Sequence, residues 1–177
     1  MFLDVLLLFA ILITLFIVVT VVAHIWIAVP FIPTPKHVGE EMLHFAGLQG
    51  SETLYDLGAG DARLLIYAKR KYPSITAIGV EFVPTVWLLG KVRIWISRQT
   101  VELRLKDVLK QDVSDADCIF LYLIPSLLTK LEKKFDAELK PGTKVVSYAF
   151  QFPHKKPVQE KSVPWLTGQR KLRMYVW

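Results

Sequence analysis

The stretch Tyr55-Asp56-Leu57-Gly58-Ala59-Gly60-Asp61-Ala62-Arg63 decides how the rest of this 177-residue chain is read. Residues 53–57 form a short apolar run that stops at Gly58-Ala59-Gly60, and Asp61 then stands where the N-cap of a helix over residues 62–71 is expected. Glycines at a strand-to-helix turn let the backbone approach a ligand closely and adopt conformations closed to residues with a Cβ.

Outward from this turn the same unit repeats. A second apolar run, 75–80, is closed by Glu81, 21 positions after Gly60. A carboxylate there can accept both hydroxyls of a ribose. A third run, 101–105, leads to Asp107 in Leu105-Lys106-Asp107-Val108, placed to face the exocyclic amine of an adenine. Between the runs lies a helix over 84–98, with Pro84 in its first turn, where a missing N–H costs nothing. Beyond them come a strand over 118–124 and a helix over 126–139 that turns Leu127, Leu128, Leu131, Phe135 and Leu139 inward. Pro141-Gly142 makes a turn into a strand over 144–150. Runs 158–163 and 172–177, joined by a connection over 164–170, are expected to close the fold as a hairpin. A further short helix over 36–45 precedes the first strand. This alternation predicts an α/β fold, a doubly wound, mainly parallel Rossmann-like sheet, with its ligand site at the carboxyl ends of the first strands.

A dinucleotide is the first ligand to weigh. Its pyrophosphate calls for G-x-G-x-x-G opening a helix, but the third glycine is absent here and Asp56 and Asp61 flank the loop. Those carboxylates would repel a pyrophosphate. They suit a cationic ligand carrying an amino group and a sulfonium.

On these residues the chain resembles the class I (seven-strand) S-adenosylmethionine-dependent methyltransferases, across residues 36–177. The resemblance implies that Asp56, Gly58 and Gly60, with Ala59 between them, cradle the amino-acid part of S-adenosylmethionine. It implies that Glu81 holds the ribose beside Phe82, and that Asp107 contacts the adenine beside Val108. Removing Glu81 is then expected to weaken cofactor binding and leave the fold intact.

A narrower resemblance runs through the apolar N-terminus, the segment Val29-Pro30-Phe31-Ile32-Pro33-Thr34, and residues 56–63, 120–125 and 139–153. These blocks are similar to the membrane-anchored protein-lysine methyltransferases related to enzymes of the mitochondrial inner membrane that act on the ATP synthase c subunit and the adenine nucleotide carrier. The implied substrate is a lysine on an integral membrane protein, or on one held near the membrane.

The fourth strand should end beside the transferred methyl group. Many amino-group methyltransferases carry an Asn/Asp-Pro-Pro-Tyr-type motif there, whereas this chain reads Tyr122-Leu123-Ile124-Pro125. The departure speaks against a nucleic-acid adenine methyltransferase. Tyr122 either lines a lysine channel or fills core, Pro125 shapes the turn, and Thr34 either caps the site from the N-terminal side or belongs to a rigid linker. Phe150-Gln151-Phe152-Pro153-His154 is a candidate wall of the substrate slot, with His154 either a base or a solvated loop residue. Arg63 reads as a helix-surface charge or an aspartate partner. The sequence requires no general base and offers no metal-ligand set. Methylation of a lipid, quinone or other membrane-soluble small molecule stays open, as does a non-catalytic cofactor-binding module.

The N-terminus is of another kind. Of residues 1–29, 25 are hydrophobic, and 5–23 carry no charge. Nineteen helical residues span about 28 Å, close to the ~30 Å hydrocarbon core. A cleaved signal peptide should begin with basic residues and have an apolar core of only ~7–15 residues, yet Met1-Phe2-Leu3-Asp4 has no Lys or Arg. The expected organisation is therefore a transmembrane anchor over 1–29 that meets the lipid bilayer through 5–29, a proline-rich linker over 30–35 and a catalytic domain over 36–177. Trp26 and Phe31 suit the interface, and His24 is tolerated near the exit. Lys36 places the domain on the cytoplasmic side by the positive-inside rule. Without Asp4 that domain holds 22 basic and 15 acidic residues, a surface drawn to anionic headgroups. It has no long Lys/Arg block, so no nucleic-acid partner is expected. Trp87, Trp95, Lys91, Arg93 and Arg98 share one helix, where aromatic and basic residues could touch lipid headgroups; the simpler expectation is two core aromatics and three solvated charges. Cys118 is the only cysteine, which excludes a disulfide scaffold.

Overall fold

The computed structural model describes residues 2–27, 32–166 and 168–177. Expectations for Val29, Pro30 and Phe31, and for the side chains of His24 and Trp26, lie outside the described residues. In chain order the elements are α1 (Phe2–Ile27), α2 (Lys36–Ala46), β1 (Thr53–Leu57), α3 (Arg63–Lys71), β2 (Thr76–Glu81) and α4 (Pro84–Ser97). Then follow β3 (Glu102–Leu105), β4 (Cys118–Leu121), α5 (Pro125–Glu138), β5 (Lys144–Tyr148), β6 (Gln159–Trp165) and β7 (Gly168–Val176).

Seven strands form one sheet in the order β3-β2-β1-β4-β5-β7-β6. Strands β1 to β5 run parallel, and β7 lies antiparallel between β5 and β6. Strand β1 thus neighbours both β2 and β4, which makes it the switch point where an open α/β sheet leaves a crevice. Register completes the placement: Leu57 pairs with Val80 on one side and Leu121 on the other, and Glu81 pairs with Leu105. The residues after these positions, from Gly58, Lys106 and Tyr122 onward, therefore leave the sheet along one edge.

The near-continuous apolar runs of β1, β2, β4 and β5 are explained by burial on both faces. One core joins Leu54, Phe120 and Val146 to Met42 of α2 and Leu65 of α3. The other joins Tyr55, Ile119 and Val145 to Leu128, Leu131 and Phe135 of α5. Gly90 lets α4 lie against the first turn, because a Cβ there would sit 2.5 Å from Leu103 Cδ2 and 3.2 Å from the Gly60 carbonyl oxygen.

Three boundaries differ from the sequence reading, the first being β5, which ends at Tyr148 rather than at residue 150. Strand β4 stops at Leu121, so Tyr122-Leu123-Ile124 forms a short link, after which Pro125 opens α5. The closing hairpin is longer than expected: Trp165 already pairs with Gly168, and the stretch 164–170 is mostly strand. Pro164 suggested a break, but β6 is the sheet edge, where a missing N–H is tolerated.

Among the described residues helix α1 contributes to neither core. Its window Phe2–Val19 has a mean hydropathy of 3.0, and none of it is buried in the protein. By length and composition it is a candidate membrane span, a test that a signal sequence also meets. It packs against α4.

Candidate active site

The ends of the parallel strands open into a cleft of about 560 Å³, within the ~300–1,000 Å³ range of small-molecule sites. One half is built from backbone and carboxylates. Gly58 and Gly60 take positive φ, 83° and 57°, and a Cβ on Gly58 would lie 2.8 Å from Leu123 Cδ2. The N–H groups of Gly58 and Ala59 both donate to the Val80 carbonyl, at 2.8 and 3.0 Å. Glu81 ties the turn further. Its Oε2 accepts from Gly60 N at 2.9 Å, and its Oε1 accepts from Phe82 N at 2.9 Å and Val83 N at 2.8 Å. The carboxylate expected to meet a ribose thus also fixes the glycine turn from across the crevice.

Asp56 lies at the floor of this half, buried, and its carboxyl is pushed up to about 7 by burial and then by the negative charges of Glu81 and Asp61. Asp61 has a different role from the one the sequence predicts. The N-cap of α3 is Ala62, in the left-handed conformation with φ 60°. Asp61 is only 1% exposed, and its Oδ2 lies 2.7 Å from Arg63 Nη2 and 3.1 Å from Arg93 Nη2. Two guanidinium groups outcompete the helix terminus for that carboxylate, whose contact with Arg63 N is a long 3.4 Å. Arg63 is accordingly an aspartate partner.

At the far rim Asp107 Oδ1 accepts from Leu109 N at 2.9 Å, which fixes the turn after β3. Val108 is buried beside it, and Phe82 is half-exposed at the cleft edge; Asp107, Val108 and Phe82 all line the cleft.

The other half presents Tyr122, Phe150 and Arg170 to the cleft, and the rings of Tyr148 and Trp165 lie against them from outside it. Tyr122 packs against Tyr148 with ring centroids 4.7 Å apart. The Arg170 guanidinium lies 3.9 Å over the Trp165 ring and about 6 Å from the rings of Tyr122 and Tyr148, at 6.0 and 5.9 Å. Arg170 also donates to the Tyr122 hydroxyl. The Tyr148 hydroxyl is pushed up to about 12, chiefly by burial. Phe150 and Thr34 line the cleft as well, so Thr34 reaches the site rather than lying in a detached linker.

Other expected members are elsewhere. Pro125 occupies the first position of α5 and is not among the residues lining the cleft. Of the expected wall, only Phe150 lines the cleft. Phe152 is buried in an aromatic core cluster with Phe135, Tyr175 and Trp177. His154 turns to α5, with Nδ1 3.3 Å from Glu132 Oε2, outside the cleft. Arg170 and Leu123 line the cleft without a role expected from the sequence, and Arg93 bears on it only through Asp61. Among the described residues no cluster of three His, Cys, Asp or Glu side chains could hold a metal ion.

The lining fits S-adenosylmethionine by its own chemistry. A buried carboxylate held near neutrality beside two further acids favours a cationic ligand, and the glycine turn leaves space that a Cβ would fill.

Comparison with known proteins agrees. Residues 56–159 match the family described as the ANTKMT methyltransferase domain. A protein-lysine N-methyltransferase of Saccharolobus islandicus is 33% identical over 127 residues, covering 70% of this chain and 78% of that protein. The human lysine N-methyltransferase of the ATP synthase c subunit is 29% identical over 134 residues, covering 74% of this chain and 56% of the relative. The chain thus spans little more than half the length of the human relative. A crystal structure of an RNA methyltransferase from Salinibacter ruber, in complex with S-adenosyl-L-homocysteine, superposes with a TM-score of 0.75 and 31% identity, over 82% of this chain and 93% of that one. With that fold, that cleft and these relatives, the chain belongs to the ANTKMT methyltransferase family and is an S-adenosylmethionine-dependent methyltransferase of class I architecture.

Proposed function

We propose that this enzyme methylates the side-chain amine of a lysine on a membrane protein, or on one held at the membrane, with α1 as its single-pass anchor and the catalytic domain on the cytoplasmic side. The observation that carries this reading is the two-part cleft, acidic and glycine-lined on one side, aromatic and already stacked on a cation on the other. The names of the archaeal and human relatives support a lysine acceptor.

Bound S-adenosylmethionine supplies an electrophilic methyl group on a sulfonium. In this reading Asp56 faces the cofactor's amino group, and Gly58, Ala59 and Gly60 let the backbone close over its amino-acid part. Glu81 and Phe82 meet the ribose, and Asp107 and Val108 meet the adenine. Tyr122 and Phe150 strip water from the incoming ammonium, with the buried Tyr148 packed against Tyr122 as its support. A free lysine titrates near 10.4, so presenting it neutral at pH 7 costs roughly 4.6 kcal/mol. Desolvation in this slot, with the positive charge of Arg170 already there, reduces that cost by disfavouring the charged form. Pro125 starts α5 and so sets the link that carries Tyr122, while Thr34 closes the cleft from the side of α1. Holding enzyme and target on one surface raises their effective concentration.

Because the Salinibacter structure is of an RNA methyltransferase, RNA is the acceptor to test against. The experiment is transfer of radiolabel from S-adenosylmethionine by the full chain, offered membranes and total RNA from a strain lacking the enzyme. Label in a protein band that mass spectrometry maps to a lysine supports the proposal. Label confined to RNA, or to an organic extract containing lipids and quinones, refutes it.

A further inference from the structure

Helix α4 carries a surface that neither the core nor the cleft uses. Its inner side is accounted for: Val86 and Gly90 are buried, and Trp87 Nε1 donates to the Leu103 carbonyl at 3.0 Å. On the outer side Leu88, Leu89, Val92, Trp95 and Ile96 are all exposed, Trp95 at 80% and Ile96 at 68%. At 3.6 residues per turn these five fall within one arc of about 120°. Lys91 and Arg93 stand at opposite edges of that arc, and Arg98 caps the helix end, all three exposed. No acidic residue occurs on α4.

The expectation of two core aromatics on this helix is therefore half right. Trp87 is tied to β3, whereas Trp95 projects into the surroundings. A contiguous exposed apolar stripe marks a contact surface. One edged with basic residues and carrying tryptophan has the pattern of a helix lying in the plane of a bilayer interface. The neighbour points to the occupant, since α1, the apolar candidate span, contacts this same helix and leaves its outer stripe uncovered. Lys91 and Arg98, exposed on the helix with no acidic residue beside them on α4, select anionic headgroups.

We propose that α4 is a second membrane contact, its Leu88, Val92, Trp95 and Ile96 face seated among the headgroups of an anionic bilayer with Lys91 and Arg98 at the phosphate level, while Arg93 stays on Asp61. This rests on the reading of α1 as a membrane anchor. Since Phe82, Val83 and Val86, at the start of α4, line the cleft, seating α4 holds the cleft mouth at a fixed height and tilt above the lipid. A tether alone would leave the domain free to tumble.

The test uses the full chain reconstituted in vesicles of phosphatidylcholine and phosphatidylserine. An environment-sensitive fluorophore is attached in Ile96→Cys and, as the control, in Lys133→Cys on the exposed side of α5; the native Cys118 is buried. A nitroxide-bearing lipid should extinguish most of the emission at position 96 and little at 133, and aqueous iodide should give the reverse. Trp95→Cys should repeat the pattern one residue away. Equal iodide quenching at 96 and 133 in protein that floats with the vesicles overturns the α4 contact and leaves the anchor standing. Protection from iodide without quenching by the nitroxide lipid also overturns it, in favour of a second copy of the chain on this face. Protein that does not float overturns both readings.

Discussion

The two halves of the cleft are made of different material. The half on β1, β2 and β3 is backbone, glycine and carboxylate, with Gly58, Ala59 and Gly60 tied to Val80 and Glu81 by hydrogen bonds of 2.8 to 3.0 Å. The half beyond β4 presents Tyr122, Phe150 and Arg170, with the rings of Tyr148 and Trp165 packed against that tyrosine and guanidinium from outside the cleft. The first leaves little room for adjustment, as suits a ligand of invariant shape. The second is held by stacking and by one hydroxyl contact, and a long side chain can displace Arg170 at modest cost. The contrast separates a binding function from an acceptor function in space.

The largest effect is expected at Gly58. Gly58→Val places a β-branched residue at φ 83° with its Cβ against Leu123. Strain of about 3 kcal/mol corresponds to a loss of about 100-fold in cofactor affinity, measurable by calorimetry on protein whose circular dichroism is unchanged. Glu81 comes next, and here the structure revises the sequence expectation of an intact fold. Glu81→Ala strands three backbone N–H groups, each worth about 1–3 kcal/mol if left unpaired, so both melting temperature and cofactor affinity should fall. Glu81→Gln keeps an acceptor oxygen and should lose about tenfold in affinity with a smaller change in melting. Equal melting of the two variants would show that the hydrogen bonds to the turn do not matter.

Asp56 gives a pH signature. Its folded-state pKa, about 7, stands above the ordinary 3.8, so the folded protein holds a proton that the unfolded chain releases. Stability of the free enzyme should therefore decline as pH rises from about 4 to about 7 and then level off. A cationic cofactor prefers the ionised form, so its affinity should weaken as pH falls below about 7 and its binding should release a proton. Asp56→Asn should remove both dependences, which denaturation midpoints and calorimetry in two buffers would read. A smaller effect is expected at Gly90→Ala, where the new methyl meets Leu103 and the Gly60 carbonyl. Overpacking of this kind costs about 1–3 kcal/mol and should loosen cofactor binding several-fold without touching the aromatic half.

The same contrast explains what was legible in the sequence. The glycine turn, Glu81 and Asp107 each sit directly after an apolar run, so local pattern and strand register bring them together without knowledge of the rest. The aromatic half has no such local mark. Arg170 reaches Tyr122 only because β7 pairs antiparallel with β5, and residues 164–170 read as a connection because Pro164 looks like a break. Asp61 was misplaced for a related reason. Its partner Arg93 lies on another helix, 32 positions away, and the pull of that guanidinium is invisible along the chain. Phe152 and His154 follow β5 as a wall residue would, yet packing against α5 draws them away. On α4, apolar residues are spread around most of the helix, so the sequence does not show that the fold leaves Trp95 uncovered.

The division of labour is tested most directly by measuring, on the full chain in membranes, the cofactor dissociation constant and the single-turnover rate of methyl transfer for the native protein and Tyr122→Ala. Loss of the ring that positions the acceptor should slow transfer by about 100-fold and leave cofactor affinity unchanged. A Tyr122→Ala protein that binds cofactor as poorly as it transfers methyl groups would contradict this division, because the two halves of the cleft would then be one site.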